Sequence, residues 1–494
     1  MLDRPQDSYY SMHMALVLLL LVSYPDSAHF VARARDGNAL GLAQVRVSAR
    51  DVSGVLHVVY SKQWLHTPGC SSDVYHLCST DNGFTWSPEF NVSATDYPMS
   101  AYPSLAADRR GRTHCTWHEE IQGSYPENDI FYRRRDSTGW GEVIRVSYQR
   151  SRTNACHYNS IACDSLGRVH LVWDAPPSLT EWAEIWYSIG DDTSWTTPEN
   201  LSHSVYDDDA APVVTMDRFD NICLTWTRRE AQDHGYCRFK RNGVWLPEHM
   251  IDTLLETGAA RVASDNEGNF HAVWGRGYIR PSDTLAILYY ASYDTVWSEP
   301  VMVTDSVHGF RLGPFSMTAD SAGNVYVVWP QRFLTPQGRW QRDICYRTFN
   351  GREWSEITNL TQDTVDSWSP HLGYPVSSEG VDLFWVSKVP GAPNPPPYDV
   401  MYMKLSLVVS GLAEKGKAGA SARPSQPTIV HKVLFLPEAV GGERSAASAM
   451  LLDITGRKVG DLKPGANDVR YLGPGIYFVR QNEAHKTIKV VVCR

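Results

Sequence analysis

Arginine and tryptophan side chains that fall outside any repeated pattern give this chain its recognisable binding chemistry. Arg228, Arg276, Arg311 and Arg332 offer planar guanidinium forks suited to a carboxylate or sulfate. Trp64, Trp182, Trp340 and Trp368 offer flat apolar faces suited to stacking on sugar rings. Glu119 and Glu230 are the carboxylate candidates for acid or base work, and Tyr278 has the side-chain type of a nucleophile. The same loops carry Tyr102, His118, Glu120, Tyr158, Arg229, Arg261 and His371. Together these types favour an anionic glycan as ligand. The run Asp207-Asp208-Asp209 has oxygen donors for Ca²⁺ but lacks the spaced ligand pattern of a calcium loop. No metal site and no cofactor is expected.

These side chains need a rigid frame, and the composition supplies one. The chain has 494 residues, 43% hydrophobic and 20% charged, with 17 Trp, 25 Tyr and 14 Phe, which excludes a disordered protein. A net charge of −9 and the lack of a dense Lys/Arg tract argue against nucleic acid as a partner. Nine cysteines occur without a CxxC pair, so zinc-ribbon and thioredoxin chemistry lack support. Cys223 and Cys237 are the pair expected on neighbouring strands and the first to test for a disulfide. Ala15–Val22 reads ALVLLLLV, too short to span a bilayer but suited to the core of a signal peptide over residues 1–28. No other segment is apolar enough for a membrane helix. Export to the outer surface or medium, without a transmembrane anchor, is the expected address.

A repeat of about 55 residues organises most of the chain. Its first half is a strand, Asp-x-x-Gly or a close variant, and a second strand usually closing in Trp. The copies begin with VRVSARDVSGVLHVVY (45–60), SLAADRRGRTHCTW (104–117) and SIACDSLGRVHLVW (160–173). They continue with VVTMDRFDNICLTW (213–226), RVASDNEGNFHAVW (261–274) and SMTADSAGNVYVVW (316–329). HLGYPVSSEGVDLFW (371–385) is a degenerate seventh. A third strand follows, then a turn with Trp at 86, 140, 195, 245, 297 or 354, then a short fourth strand. Four short alternating strands per copy, many times over, predict an all-β β-propeller over residues 29–408. The seventh copy lacks a fourth strand, which HFVARAR (29–35) could supply, so seven blades are expected, with six as the alternative.

The first copy contains Ser79-Thr80-Asp81-Asn82-Gly83-Phe84-Thr85-Trp86. This segment resembles the S-x-D-x-G-x-T-W Asp-box of the sialidase superfamily and other BNR-repeat propellers. The resemblance implies a propeller whose Asp-boxes are structural hairpins on the face opposite the active site, which makes Asp81 a poor catalytic candidate. The early R-I-P motif of sialidases is missing; Tyr278-Ile-Arg-Pro281 echoes it only superficially and in the wrong blade. After a small-residue and polar linker (409–428), the spellings LLDITGRKV, NDVRYLGPGIYFVR and TIKVVV occur within residues 429–494. That segment resembles a type A C-terminal sorting domain of the type IX secretion system. The resemblance implies a small β-sandwich and the type IX secretion machinery as a partner.

Repetition itself sorts structure from function: a residue type recurring at one blade position serves packing. Three before the second-strand Trp stand His114, His170 and His271, with His57 in the same place, one per sheet, so these histidines are expected to be structural. Asn91, Asn200 and Asn359 recur at the fourth strand and are read as blade consensus rather than glycan acceptors. The unrepeated residues lie in loops on the face opposite the Asp-box. Binding of an anionic glycan is the favoured reading. An exo-acting glycoside hydrolase, a polysaccharide lyase using His and Tyr, and a protein-interaction platform remain the alternatives.

Overall fold

The structure is a computed structural model of the chain. It describes residues 28–408 apart from 35–38, 42–45, 65–70, 95–98, 122–126, 148–157, 179–180, 192–193, 205, 231–232, 253–256, 259, 280–283, 305–309, 312–313, 336–337, 363–364, 390 and 392–396. It also describes residues 428–492 apart from 431–432, 437–448, 454–456, 464, 469–471, 473–474 and 482–486. The expected signal core and most of the linker therefore lie outside the described residues. The chain divides into two compact units, Met1–Ser410 and Gly411–Arg494.

Among its described residues the first unit contains only β-strands and turns, and the repeat read from the sequence becomes an antiparallel sheet each time. In the third copy, Asn159–Cys163, Val169–Ala175, Glu184–Gly190 and Glu199–Asn200 pair in that order. The first two copies are joined in one sheet by a parallel bridge between Ser72 and Met99. Asp-x-x-Gly makes the turn between first and second strands by a local mechanism. The Asp108 carboxylate accepts the backbone N–H groups of Arg110 (2.8 Å) and Arg112 (2.9 Å), and Gly111 takes φ +79°. In the fourth copy Asp220 takes φ +63° in place of the glycine, a conformation Asp tolerates better than most residues.

The seventh copy obtains its fourth strand from the N-terminus. His29–Ala34 runs antiparallel to Tyr398–Leu405, from His29 opposite Tyr402 to Ala34 opposite Tyr398. Arg33 Nε donates to Asp399 at 2.9 Å across this seam. The two ends of the repeat region are thus hydrogen-bonded to each other, and Tyr398–Leu405 is covered rather than left as the sheet's edge.

The tryptophans explain how neighbouring copies pack. Trp117, Trp173, Trp226, Trp274, Trp329 and Trp385, which close the second strands, are all fully buried. The turn tryptophans are half-buried, each against the preceding copy: Trp140 on His76, Trp195 on Tyr132, Trp245 on Tyr187, Trp297 on Phe239 and Trp354 on Tyr290. Trp86 of the first copy packs on Phe384 and Tyr402 of the seventh, completing the cycle. Gly83, at φ +87°, lets the Asp-box reach that seam, because a Cβ there would lie 2.0 Å from the Tyr402 ring.

The recurring histidines are bonded within their own sheets. His114 lies 2.8 Å from the Tyr132 hydroxyl and 3.2 Å from Asp108. His170 and His271 repeat this arrangement with Tyr187 and Asp164, and with Tyr290 and Asp265. The Cys223–Cys237 disulfide considered from sequence is not formed, and both are free buried thiols. The register explains why: Thr225 stands opposite Cys237, and Phe239 opposite Cys223.

Among its described residues the second unit is a small all-β body. Its main sheet has the order Thr428–Val430, Thr487–Val492, Gly475–Gln481, Ala449–Leu452 and Lys458–Leu462, the first pair parallel. Val433–Leu436 pairs separately with Gly465–Asp468. Leu451, Leu462, Leu472 and Val479 are its buried side chains among the described residues.

Candidate functional site

Two residues after each second-strand Trp comes a position that accounts for three of the sequence candidates: Glu119, Ala175, Arg228, Arg276, Gln331 and Ser387. A strand turns every second residue to the same face, so this side chain lies beside the indole. Glu119 accepts the Trp117 indole N–H at 2.5 Å and the Ser100 hydroxyl at 3.0 Å, and is fully buried. Gln331 and Ser387 accept from Trp329 and Trp385 in the same way. In the fourth and fifth copies the acceptor is an aspartate held by the arginine: Asp209 for Trp226 and Arg228, Asp252 for Trp274 and Arg276.

Arg228 is therefore committed internally. Its guanidinium bonds Asp209 (2.8 and 3.2 Å), Glu248 (2.9 and 3.3 Å) and the Ser202 carbonyl (3.3 Å), and lies 4.3 Å from the Tyr236 ring centroid. Burial opposes its charge, yet the two carboxylates raise its pKa overall. Arg276 likewise donates to Asp252 and lies 4.0 Å from the Tyr289 ring centroid. Arg228→Met is expected to cost roughly 3–5 kcal/mol, because Asp209 would be left buried without its partner. Denaturant unfolding measures this, and glycan retention by the folded fraction should not change.

The other candidates separate by exposure. Trp182 and Trp340 are 60% and 66% exposed, Trp340 at the end of Trp340–Phe349 opposite Leu334. Trp368 is half-buried, with Arg342, itself paired to Asp366, 4.1 Å from its ring centroid. Arg332 is exposed, and Glu230 accepts the Tyr236 hydroxyl at 3.1 Å. Trp64, Tyr278 and Arg311 fall in strands, but their side chains lie outside the described residues.

A different group converges where the first strands begin. The Tyr102 ring lies 5.8 Å from His118 and 5.6 Å from Tyr158, centroid to centroid. Asn159 ties them together, donating to the Tyr102 carbonyl at 3.0 Å and accepting from Thr116 at 2.7 Å. Tyr102 sits at φ +53° beside a bulge in the ladder, as Ala211 and Ser369 do in the fourth and seventh copies. A bulky residue in that region is strained unless its surroundings hold it.

Arg261 is 7% exposed, and its charge bears on Tyr158 of this group. Among the described residues no carboxylate pairs with it and its Nε has no hydrogen-bond partner; the Phe315 ring lies 5.2 Å away. Burial lowers its pKa to about 10, with Tyr158 opposing, so it remains a cation near neutrality. The same field reaches its neighbours. His371 is lowered to about 3, by burial first and Arg261 second. Tyr158 is raised by burial, Tyr102 and Asp174, against the pull of Arg229 and Arg261. A buried cation with no carboxylate partner among the described residues, its charge felt by a tyrosine and a histidine, has the chemistry to attract an anionic group.

The signal for Arg261 was present in the repeat. Four residues before the turn aspartate the other copies have Val47, Ser104, Ser160, Val213 and Ser316. Arginine at that position belongs to one copy alone.

No protein-family model and no curated protein matches the chain. Solved structures do match it. A structure described as a new family of polysaccharide lyase, an ulvan lyase, has a TM-score of 0.53 at 13% identity, covering 76% of this chain and 95% of that one. An ulvan lyase structure bound to -[GlcA(1-4)Rha3S]- gives 0.52, with the same identity and coverage. A mutant of the NanB sialidase from Streptococcus pneumoniae gives 0.43 at 11% identity, covering 77% of this chain and 71% of that one. At these identities the likeness is one of fold: an all-β propeller shared with glycan-active proteins.

Proposed function

We propose that this chain is an exported seven-bladed β-propeller that binds an acidic glycan where its first strands begin. The observation that carries the reading is Arg261, a buried cation without a carboxylate partner among the described residues, whose charge bears on Tyr158 and His371; Tyr158 packs against Tyr102, and Tyr102 against His118. Desolvation makes such a cation bind a carboxylate or sulfate far more strongly than an exposed arginine would. Seven blades, rather than six, is supported by the N-terminal strand completing the last sheet and by Trp86 packing on the seventh copy. Trp182 and Trp340 remain available as platforms for flanking sugars.

The same group favours elimination over hydrolysis if the site is catalytic. β-Elimination in a uronate takes the C5 proton, breaks the C4–O4 bond, forms C4=C5 and returns a proton to O4. Arg261 would neutralise the carboxylate that acidifies C5, and histidine and tyrosine would carry the two protons. Tyr158, held protonated by its surroundings, suits delivery to the leaving oxygen. A sialidase-like site has less support, because Glu119, Arg228 and Arg276 are taken up beside the buried tryptophans. The fold shared with an ulvan lyase is consistent with elimination.

The purified whole chain should retain uronate-bearing or sulfated polysaccharides and not neutral ones, as read by affinity electrophoresis. Ultraviolet absorbance of an unsaturated uronate would establish elimination; retention without it would leave a binding protein. Equal retention of neutral glycans would overturn the site. For export we propose a signal peptide over 1–28 and type IX recognition of residues 429–494. Deleting 429–494 should trap the chain inside a type IX-competent cell, and unchanged secretion would refute this.

A further inference from the structure

A second buried arginine without a carboxylate partner among the described residues lies in the first copy. Arg46, 5% exposed, leaves the first copy and donates through Nη2 to the Thr215 hydroxyl of the fourth copy. Its guanidinium lies 4.0 Å from the ring centroid of Tyr374 of the seventh copy. The Tyr374 hydroxyl bonds Ser264 at 2.9 Å and the Met216 carbonyl at 3.3 Å, in the fifth and fourth copies. Arg46 and Tyr374 thus stack across the middle of the repeat region.

This stack borders a cavity of about 350 Å³ at the end where the first strands finish. All seven copies contribute to its wall, among them Leu105, Ala162, Met216, Ser264, Ala319 and Val376. The Arg50 guanidinium in the same wall is neutralised by a two-pronged pair with Asp382, both bonds at 2.7 Å. Arg46 has no such partner among the described residues, and Tyr374 and Cys163 are the groups whose charges bear on it. Six turn aspartates also line this wall, each occupied by its own copy: Asp51 with Val55, Asp108 with Arg112 and His114, Asp164 with Arg168 and His170, Asp217 with Asn221, Asp265 with Asn269 and His271, and Asp320 with Asn324 and Tyr326.

We propose that this cavity is a binding site for a small inorganic anion, a halide or compact oxyanion, held by the remaining N–H groups of Arg46. A guanidinium has five N–H donors, and the described residues accept one of them here. The anion would neutralise a cation that otherwise sits desolvated among blade walls, and would brace first, fourth and seventh copies through one arginine. This site is independent of the glycan reading, since it uses neither Arg261 nor its neighbours.

The test compares unfolding of the whole chain in sodium chloride, sodium bromide and sodium gluconate at equal ionic strength. Chloride and bromide should raise the unfolding temperature saturably, by about 2 °C over gluconate. A crystal grown in bromide should show its anomalous signal within hydrogen-bond reach of Arg46. Arg46→Met should remove both effects and leave glycan retention intact. Equal unfolding in all three salts, or bromide absent from Arg46, overturns the proposal. If Arg46→Met does not fold, the salt series and bromide map on the unaltered chain decide it.

Discussion

Arg261→Met is expected to weaken retention of acidic glycans roughly 10- to 100-fold while making the protein more stable. Methionine fills nearly the same space without a charge, and the arginine it replaces is 7% exposed with its pKa drawn down to about 10 by burial. Removing a buried, uncompensated cation should stabilise the fold by on the order of 1–2 kcal/mol. The two effects have opposite signs, so a merely destabilised protein cannot mimic the result. Affinity electrophoresis and denaturant unfolding of the same preparation provide the measurement. Lower stability with unchanged retention would remove Arg261 from the site. Arg261→Lys should keep part of the affinity, since a point charge attracts the anion without the planar fork.

Acid should unfold the protein well above the usual carboxylate range. His371 titrates near 3 in the folded chain against 6.5 for an unperturbed histidine. The unfolded state therefore takes up this proton first, and stability falls as pH drops from about 6.5 towards 3. Each unit in that window costs about 1.4 kcal/mol for this one residue, up to roughly 5 kcal/mol in full. Burial lowers His57, His76 and His170 too, which steepens the slope. Below about pH 4 the turn carboxylates add to it, because burial pushes Asp51, Asp108, Asp164 and Asp265 up but their hydrogen bonds outweigh it and hold them below their ordinary values. Denaturant midpoints at pH 7, 5.5 and 4.5 should decline steadily, and His371→Asn should flatten the decline. A flat profile over that range would contradict the buried neutral histidines.

The fold was legible because each copy repeats the local rules that make it. Asp-x-x-Gly makes the same turn many times, and in the second to sixth copies two tryptophans mark a buried strand and a cross-copy contact. Even the N-terminal strand could be placed, since one copy lacked its fourth strand. The site was harder to read because a single residue reveals its type but not its partner. Arg228 and Arg276 looked unrepeated, yet each is a longer way of satisfying an indole that Glu119, Gln331 and Ser387 satisfy directly. Their aspartate partners, Asp209 and Asp252, lie outside the second strand, where the repeat gives no hint. Arg261 was visible as one residue among many in the loops and first strands. Its distinction, burial without a carboxylate partner, exists only in three dimensions.

The seam between His29–Ala34 and Tyr398–Leu405 also governs how the protein is made. Arg33 and Asp399, which meet there, are 366 residues apart in the chain. That contact cannot form until the last copy has been synthesised. Joining ends this far apart carries a loop-closure cost that pairing within a copy does not, so closure is expected to come late in folding. Once made, the join is held by that short strand, by Trp86 against Phe384 and Tyr402, and by Arg50 paired with Asp382.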